Sequence, residues 1–299
     1  MIRLDAASVL LQWATGGLFF TWVTTRHREV GLGYGWLMRG IYIVMATGAL
    51  ACGLAFGVVP VREVAAGGVA LAALVALAVS WLRRRAGVSG QRAEHDRRTA
   101  RVAAMTGIDR GGATVATDEA GTSGGSPADS GGPGREFPPG LDLVAPVIGA
   151  VGLVAAGLGA GGSEWLAVAR LLAGAAFLGS ITDAMLLGHW YLVQPGLPRR
   201  LLNELVRATM IVWPIEVALL LVRPGMVQVL NGTIDDGWGG VLGWFWVACA
   251  VTTVVLLFVT RAALREREYS AVMAATGLLY LAILTAFGTD LVARAVLAA

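Results

Sequence analysis

The stretch EWLAVARLLAGAAFLGSITDAMLLGHWYLV, running from Glu164 to Val193, decides the fold. Proline is absent from it, and its length exceeds the ~20 residues that carry a helix across roughly 30 Å of hydrocarbon. One helix from Glu164 to Val193 would therefore tilt or protrude at its end. Arg170 and Asp183 lie inside this apolar run. An ionisable group within the bilayer costs about 2.5–3.5 kcal/mol on insertion scales, so each needs a partner or a purpose.

Working outward, comparable apolar stretches occur at approximately 6–24, 37–59, 64–82, 141–160, 165–188, 204–222, 240–260 and 270–292. The expected fold is thus an all-α integral membrane protein with about eight transmembrane helices. The whole chain agrees: of 299 residues 56% are hydrophobic and 14% charged, with a mean hydropathy of +0.69. A soluble domain carries about 25% charged residues to face water. Cys52 and Cys249 both fall in apolar segments and read as small buried hydrophobes, not as a disulfide or metal pair. No cleavable leader is expected, because Arg3 and Asp5 lead straight into the first apolar stretch without a small-x-small site.

All 23 basic side chains are arginine. The absence of lysine excludes a phosphate-binding glycine loop of the usual kind. Arginine-only, Ala/Gly/Val-rich usage points to GC-rich bacterial coding, hence to a bacterial cytoplasmic membrane. Sixteen arginines lie on the side of the odd-numbered loops and four on the other. The positive-inside rule therefore puts both termini on the non-cytoplasmic side, and the net charge of +3 reads as membrane orientation with no nucleic-acid role.

Organisation follows as helices 1–3 over residues 1–82, a cytoplasmic loop over 83–140, and helices 4–8 over 141–299. The loop opens with a charged stretch, Arg83 to Met105, able to extend helix 3 with Glu94 and Arg98 spaced i,i+4. From Gly107 to Gly140 it is rich in Gly, Ser, Thr, Asp and Pro and is expected to be disordered. Such a loop is a candidate contact for a protein partner; the bilayer itself is the other expected partner. A shift of 168 residues lays Trp22 on Trp190, Arg39 on Arg207, Leu18 on Leu186, and Gln12 and Thr15 on Ser180 and Asp183. This predicts two parallel four-helix repeats, against the alternative of chance identity in a chain built from few residue types. Gly53-xxx-Gly57, Ala155-xxx-Gly159 and Ala175-xxx-Gly179 predict close helix approach.

Three places are candidate polar membrane sites. Asp183 is expected to be neutralised by Arg207 or Arg39, which enter helices 6 and 2 from the cytoplasmic side; the alternatives are a structural ion pair and a proton- or headgroup-binding carboxylate. Glu216 follows Pro214 in Trp213-Pro-Ile-Glu216, where proline frees a backbone carbonyl. With Arg170 and Asp290 it would form an outer network of two acids and one base, and the surplus carboxylate invites a proton. His189-Trp190-Tyr191 sits at the inner end of helix 5. An aromatic belt explains it; so does a quinone headgroup pocket with His189 as the proton partner.

No metal or cofactor is expected. A b-type haem would have to use His27 and His189, with Met as a substitute ligand, and no His/Cys/Asp/Glu spacing forms a metal set. Three function classes remain: the membrane subunit of a redox complex with a quinone- or lipid-facing site near the cytoplasmic end of helices 5 and 6; a small-molecule or proton-coupled transporter; and a non-catalytic assembly protein. The eight-helix layout looks like the membrane anchors of polysulfide- and dimethyl-sulfoxide-reductase-type complexes, in helix count alone. Against a transporter, helices interrupted in corresponding positions are scarce beyond helix 6.

Overall fold

The computed structural model describes residues 5–84, 88–89, 137–160, 162–194, 196–266 and 268–298. The helical extension expected past Arg84 and most of the stretch expected to be disordered lie outside the described residues. Its last part does not: Phe137 is buried, and Pro139–Leu143 forms a 3-10 turn.

Among the described residues the chain is helical without strands. The long helices are α1 (Ala6–Thr25), α2 (Leu32–Phe56), α3 (Pro60–Leu82), α4 (Val144–Leu158), α5 (Glu164–Val193), α6 (Arg200–Leu221), α7 (Val241–Ala263) and α8 (Tyr269–Ala298). Local chemistry fixes several of their starts. Asp5 caps α1 by accepting from the Ala7 N–H at 3.2 Å. Pro60 opens α3 where a missing N–H costs nothing, and Glu63 reaches back to the Val59 N–H at 2.9 Å. The Asp236 carboxylate accepts four backbone N–H groups at the entry of α7, from Trp238, Gly240, Leu242 and Gly243. The Gly240 bond first, then the others, holds that carboxyl below the usual aspartate range.

Among the described residues, seven helical segments are long and apolar enough to cross a membrane, with α4 counted together with its 3-10 turn as Pro139–Leu158. The chain is therefore a polytopic helical membrane protein by length and composition. The eighth long helix, α6, carries Glu204, Arg207 and Glu216 along its length and falls short of that measure.

The helices close into two rings. In the first, α1 packs on α2, α2 on α3, α3 on α4, and α4 back on α1. In the second, α5 to α8 repeat that cycle. The rings meet where α5 packs on α1 and α4. Burial marks this seam as the centre: 72% of α1's apolar window and 78% of α5's is covered, against 33% for α2, α3, α7 and α8. Small residues make the seam possible. A Cβ on Gly179 would lie 2.2 Å from the Gly16 backbone, and one on Gly16 would lie 1.7 Å from the Ala175 oxygen. The ends of α1 and α5, Thr25 and Val193, and the starts of α2 and α6, Leu32 and Arg200, are each 168 residues apart.

Candidate functional site

Polar groups gather in two layers along the α1–α5 seam. The layer near the α1–α2 and α5–α6 loops is built around Asp183, which is fully buried. Its carboxylate accepts the Tyr42 hydroxyl at 2.5 Å and the Thr21 hydroxyl at 3.1 Å. Tyr42 reaches it by crossing α1 at Gly17, where a Cβ would come within 1.9 Å of the ring. The expectation that Arg39 or Arg207 neutralises Asp183 is therefore corrected. Arg39 is committed elsewhere: its Nε and one terminal nitrogen donate to the two oxygens of Asp142, both at 2.7 Å, and Phe137 stacks 4.4 Å from the guanidinium. Arg207 is exposed on α6. The groups that reach its carboxyl oxygens are two hydroxyls held by packed helices, and neither is basic.

Asp142 is the residue that sequence reasoning missed here. It also accepts the Thr25 hydroxyl at 3.0 Å, which pins the 3-10 turn before α4 onto α1 and α2. Its signal was an acid in the first turn of an apolar span, indistinguishable in one sequence from an interfacial charge.

The second layer brings together Glu216, Asp290, Arg170, Arg294 and Gln12. Arg294 holds Asp290 through Nε at 2.8 Å and a second nitrogen at 3.1 Å, and also donates to the Gln12 side-chain carbonyl. Gln12 donates to Asp290 at 3.3 Å, across a gap that Gly174 leaves open; a Cβ there would lie 2.4 Å from the Gln12 amide nitrogen. Arg170 instead donates to the carbonyls of Leu219, Val222 and Pro224 at 2.9, 2.8 and 2.7 Å. It therefore caps the end of α6, where helix carbonyls lack intrahelical partners and the dipole favours a cation. The count of two acids against one base is corrected to two acids and two bases, because i,i+4 spacing on α8 brings Arg294 onto Asp290.

Glu216 stands apart in this layer. It is fully buried, and neither carboxyl oxygen receives a protein hydrogen bond. Its charged neighbours are Asp290, Arg294 and Arg170, and no hydrogen bond joins its carboxyl to that of Asp290. Two ionised carboxylates cannot bond to each other; a carboxyl and a carboxylate can. One Arg294 nitrogen in the same layer is likewise buried and unpartnered.

His189, Trp190 and Tyr191 are not brought together. His189 is exposed, the Trp190 ring packs 5.9 Å from that of Tyr34, and buried Tyr191 donates to the Pro198 carbonyl at 2.9 Å. His27, the other histidine considered for a haem, contacts Glu204 at 2.9 Å.

The two ends of the seam differ. At the end carrying the α1–α2 loop the rings are tied together: Arg26 and His27 pair with Glu204, Glu29 pairs with Arg200, and Gln194 accepts from the Gly31 N–H at 2.9 Å and donates to the Glu29 carbonyl at 3.1 Å. At the opposite end a cavity of about 690 Å³ is lined by Asp5, Ser8, Arg62 and Ala156 of the first ring and by Ala167 and Leu171 of α5.

No protein-family model, curated protein or solved structure matches the chain.

Proposed function

We propose that this is a proton-coupled transporter of a bacterial cytoplasmic membrane, with the Glu216–Asp290 carboxyl pair as its proton site and the seam between the rings as its path. Eight helices cross the bilayer, α6 among them, and both termini lie on the non-cytoplasmic side, as the arginine bias requires. The rings descend from one four-helix unit, a reading supported by their shared cyclic packing and by helix ends spaced 168 residues apart.

The observation that carries the proposal is Glu216: a buried carboxyl with no donor to either oxygen, near a second acid already held by an arginine. A structural ion pair would have given Glu216 a partner. A proton carrier needs a carboxyl that the protein leaves open, with neighbouring charges that make gain and loss of a proton comparable. Pro214, two residues earlier in α6, removes one backbone hydrogen bond from the helix that carries it. The closed end and the cavity at the other end match a seam open to one side at a time.

The experiment is an acidic-minus-alkaline infrared difference spectrum of the purified, reconstituted protein. Wild type is expected to show a protonated-carboxyl carbonyl band that Glu216→Gln removes while circular dichroism and gel filtration stay unchanged. A band that persists in folded Glu216→Gln sinks the assignment.

A further inference from the structure

A second site lies on the lipid-facing side of the first ring, away from both polar layers. On α2 a groove of about 550 Å³ is lined by Trp36, Leu37, Gly40, Ile41, Val44 and Met45. Its floor is bare at Gly40, where a Cβ would find no heavy atom within 4 Å, and its rim is exposed at Leu37 and Val44. From Trp36 to Met45 the groove runs nine residues, or about 14 Å at 1.5 Å per residue. That is roughly half of the ~30 Å hydrocarbon thickness, the depth of one leaflet.

The head of the groove is polar and basic. Trp36 is fixed by donating from Nε1 to the Ser80 hydroxyl at 3.0 Å, and its ring packs 4.7 Å from that of Trp81. Over Trp81, at 4.8 Å, lies the guanidinium of exposed Arg84, just past the end of α3. Arg84 also donates to the Trp81 carbonyl at 3.3 Å, which leaves most of its N–H groups for another acceptor. Read from the end of α3 into the bilayer, the order is guanidinium, indole pair, apolar trough. That is the order of a glycerophospholipid: phosphate, interfacial backbone, acyl chain.

We infer that this face binds one anionic phospholipid, with its phosphate on Arg84, its glycerol region against Trp81 and Trp36, and one acyl chain in the α2 groove over Gly40. The trough alone gives little selectivity, because surrounding lipid tails are as apolar as the groove. Selection for this lipid comes from the arginine, on the side where the arginine excess lies and where anionic lipids supply the charge. A second copy of the chain packing through the same face would need its own side chains in the trough. This site is independent of the proton pair at Glu216 and stands if that reading fails.

Native mass spectrometry of the full chain, titrated with phosphatidylglycerol or phosphatidylcholine of identical chains, tests it. Wild type is expected to retain one phosphatidylglycerol in preference to phosphatidylcholine. Arg84→Gln is expected to lower phosphatidylglycerol affinity about fivefold, the worth of one basic residue at an anionic surface, and to leave phosphatidylcholine unchanged. Gly40→Leu, which fills the trough from a position without neighbours, should lower retention of both lipids with the fold intact by circular dichroism. Equal retention of the two lipids by wild type overturns the proposal, as does an unchanged preference in Arg84→Gln. Displacement of the bound species by inorganic phosphate would make it a phosphate site without a lipid. A disulfide-linked dimer formed by Gly40→Cys would assign the face to a second copy; both results overturn it.

Discussion

Arg39 and Asp142 form the best-satisfied buried ion pair in the molecule's described residues, bidentate and capped by an aromatic ring. Breaking one half leaves a buried charge without a counter-ion, and costs about 3–5 kcal/mol; replacing both halves by apolar residues of similar size is close to neutral. Arg39→Met is therefore expected to lower the unfolding midpoint in detergent sharply, and Arg39→Met with Asp142→Leu to recover most of the loss. A double variant as unstable as the single one would mean that the pair does more than balance charge. At this scale the sequence announced which residues were expensive but not how they paired. Asp183, Glu216, Arg170 and Asp290 stood out because charge inside an apolar run is rare, and all are buried. Partnership depends on the rotation and offset of helices far apart in sequence: Tyr42 and Thr21 reach Asp183 across separations of 141 and 162 residues. Hydroxyl partners carry no charge and give no such signal.

Helices themselves were legible, because a long apolar run has one solution in a bilayer. α5 runs from Glu164 to Val193 as a single helix, which its unbroken apolar composition allowed. Ala175-xxx-Gly179 marked a true contact, whereas Gly57 of Gly53-xxx-Gly57 has nothing near its Cβ position. A small residue permits approach without saying which helix comes near. The contact at Gly179 is unforgiving: Gly179→Leu is expected to cost at least about 1–3 kcal/mol in unfolding, since neither backbone can retreat. Gly277→Ala on α8, with open space at its Cβ position, serves as the control and is expected to be neutral or to stabilise by about 1 kcal/mol. Equal effects at the two positions would show that α1 and α5 do not pack as described. The 168-residue relation also has limits at this scale. It superposes helix ends, yet Arg39 is buried in an ion pair while its counterpart Arg207 faces outward. Any common ancestor has been put to different uses in the two rings.

Across the whole molecule, the rings are joined by a seam that is closest at Gly16 and Gly179 and by ion pairs at one end. The ion pairs are partly exposed, so each is worth about 0–1 kcal/mol and none controls global stability. Their effect is local, on the loops that they join. Glu204→Lys removes the partner of both Arg26 and His27, and is expected to raise deuterium uptake in residues 26–31 and 196–200 while the unfolding midpoint moves little. Unchanged exchange there would mean that Gln194 and the Glu29–Arg200 pair hold the loops without Glu204. Gln12 has a consequence of a different kind. It sits in the first helix, but the groups that satisfy its amide, Asp290 and Arg294, are in the last, 278 and 282 residues away. During synthesis α1 must therefore wait in the membrane with an unmet amide until nearly the whole chain has been translated. Quality control that senses stray polar groups in lipid would see every truncated product as unfinished, whatever the state of its other helices.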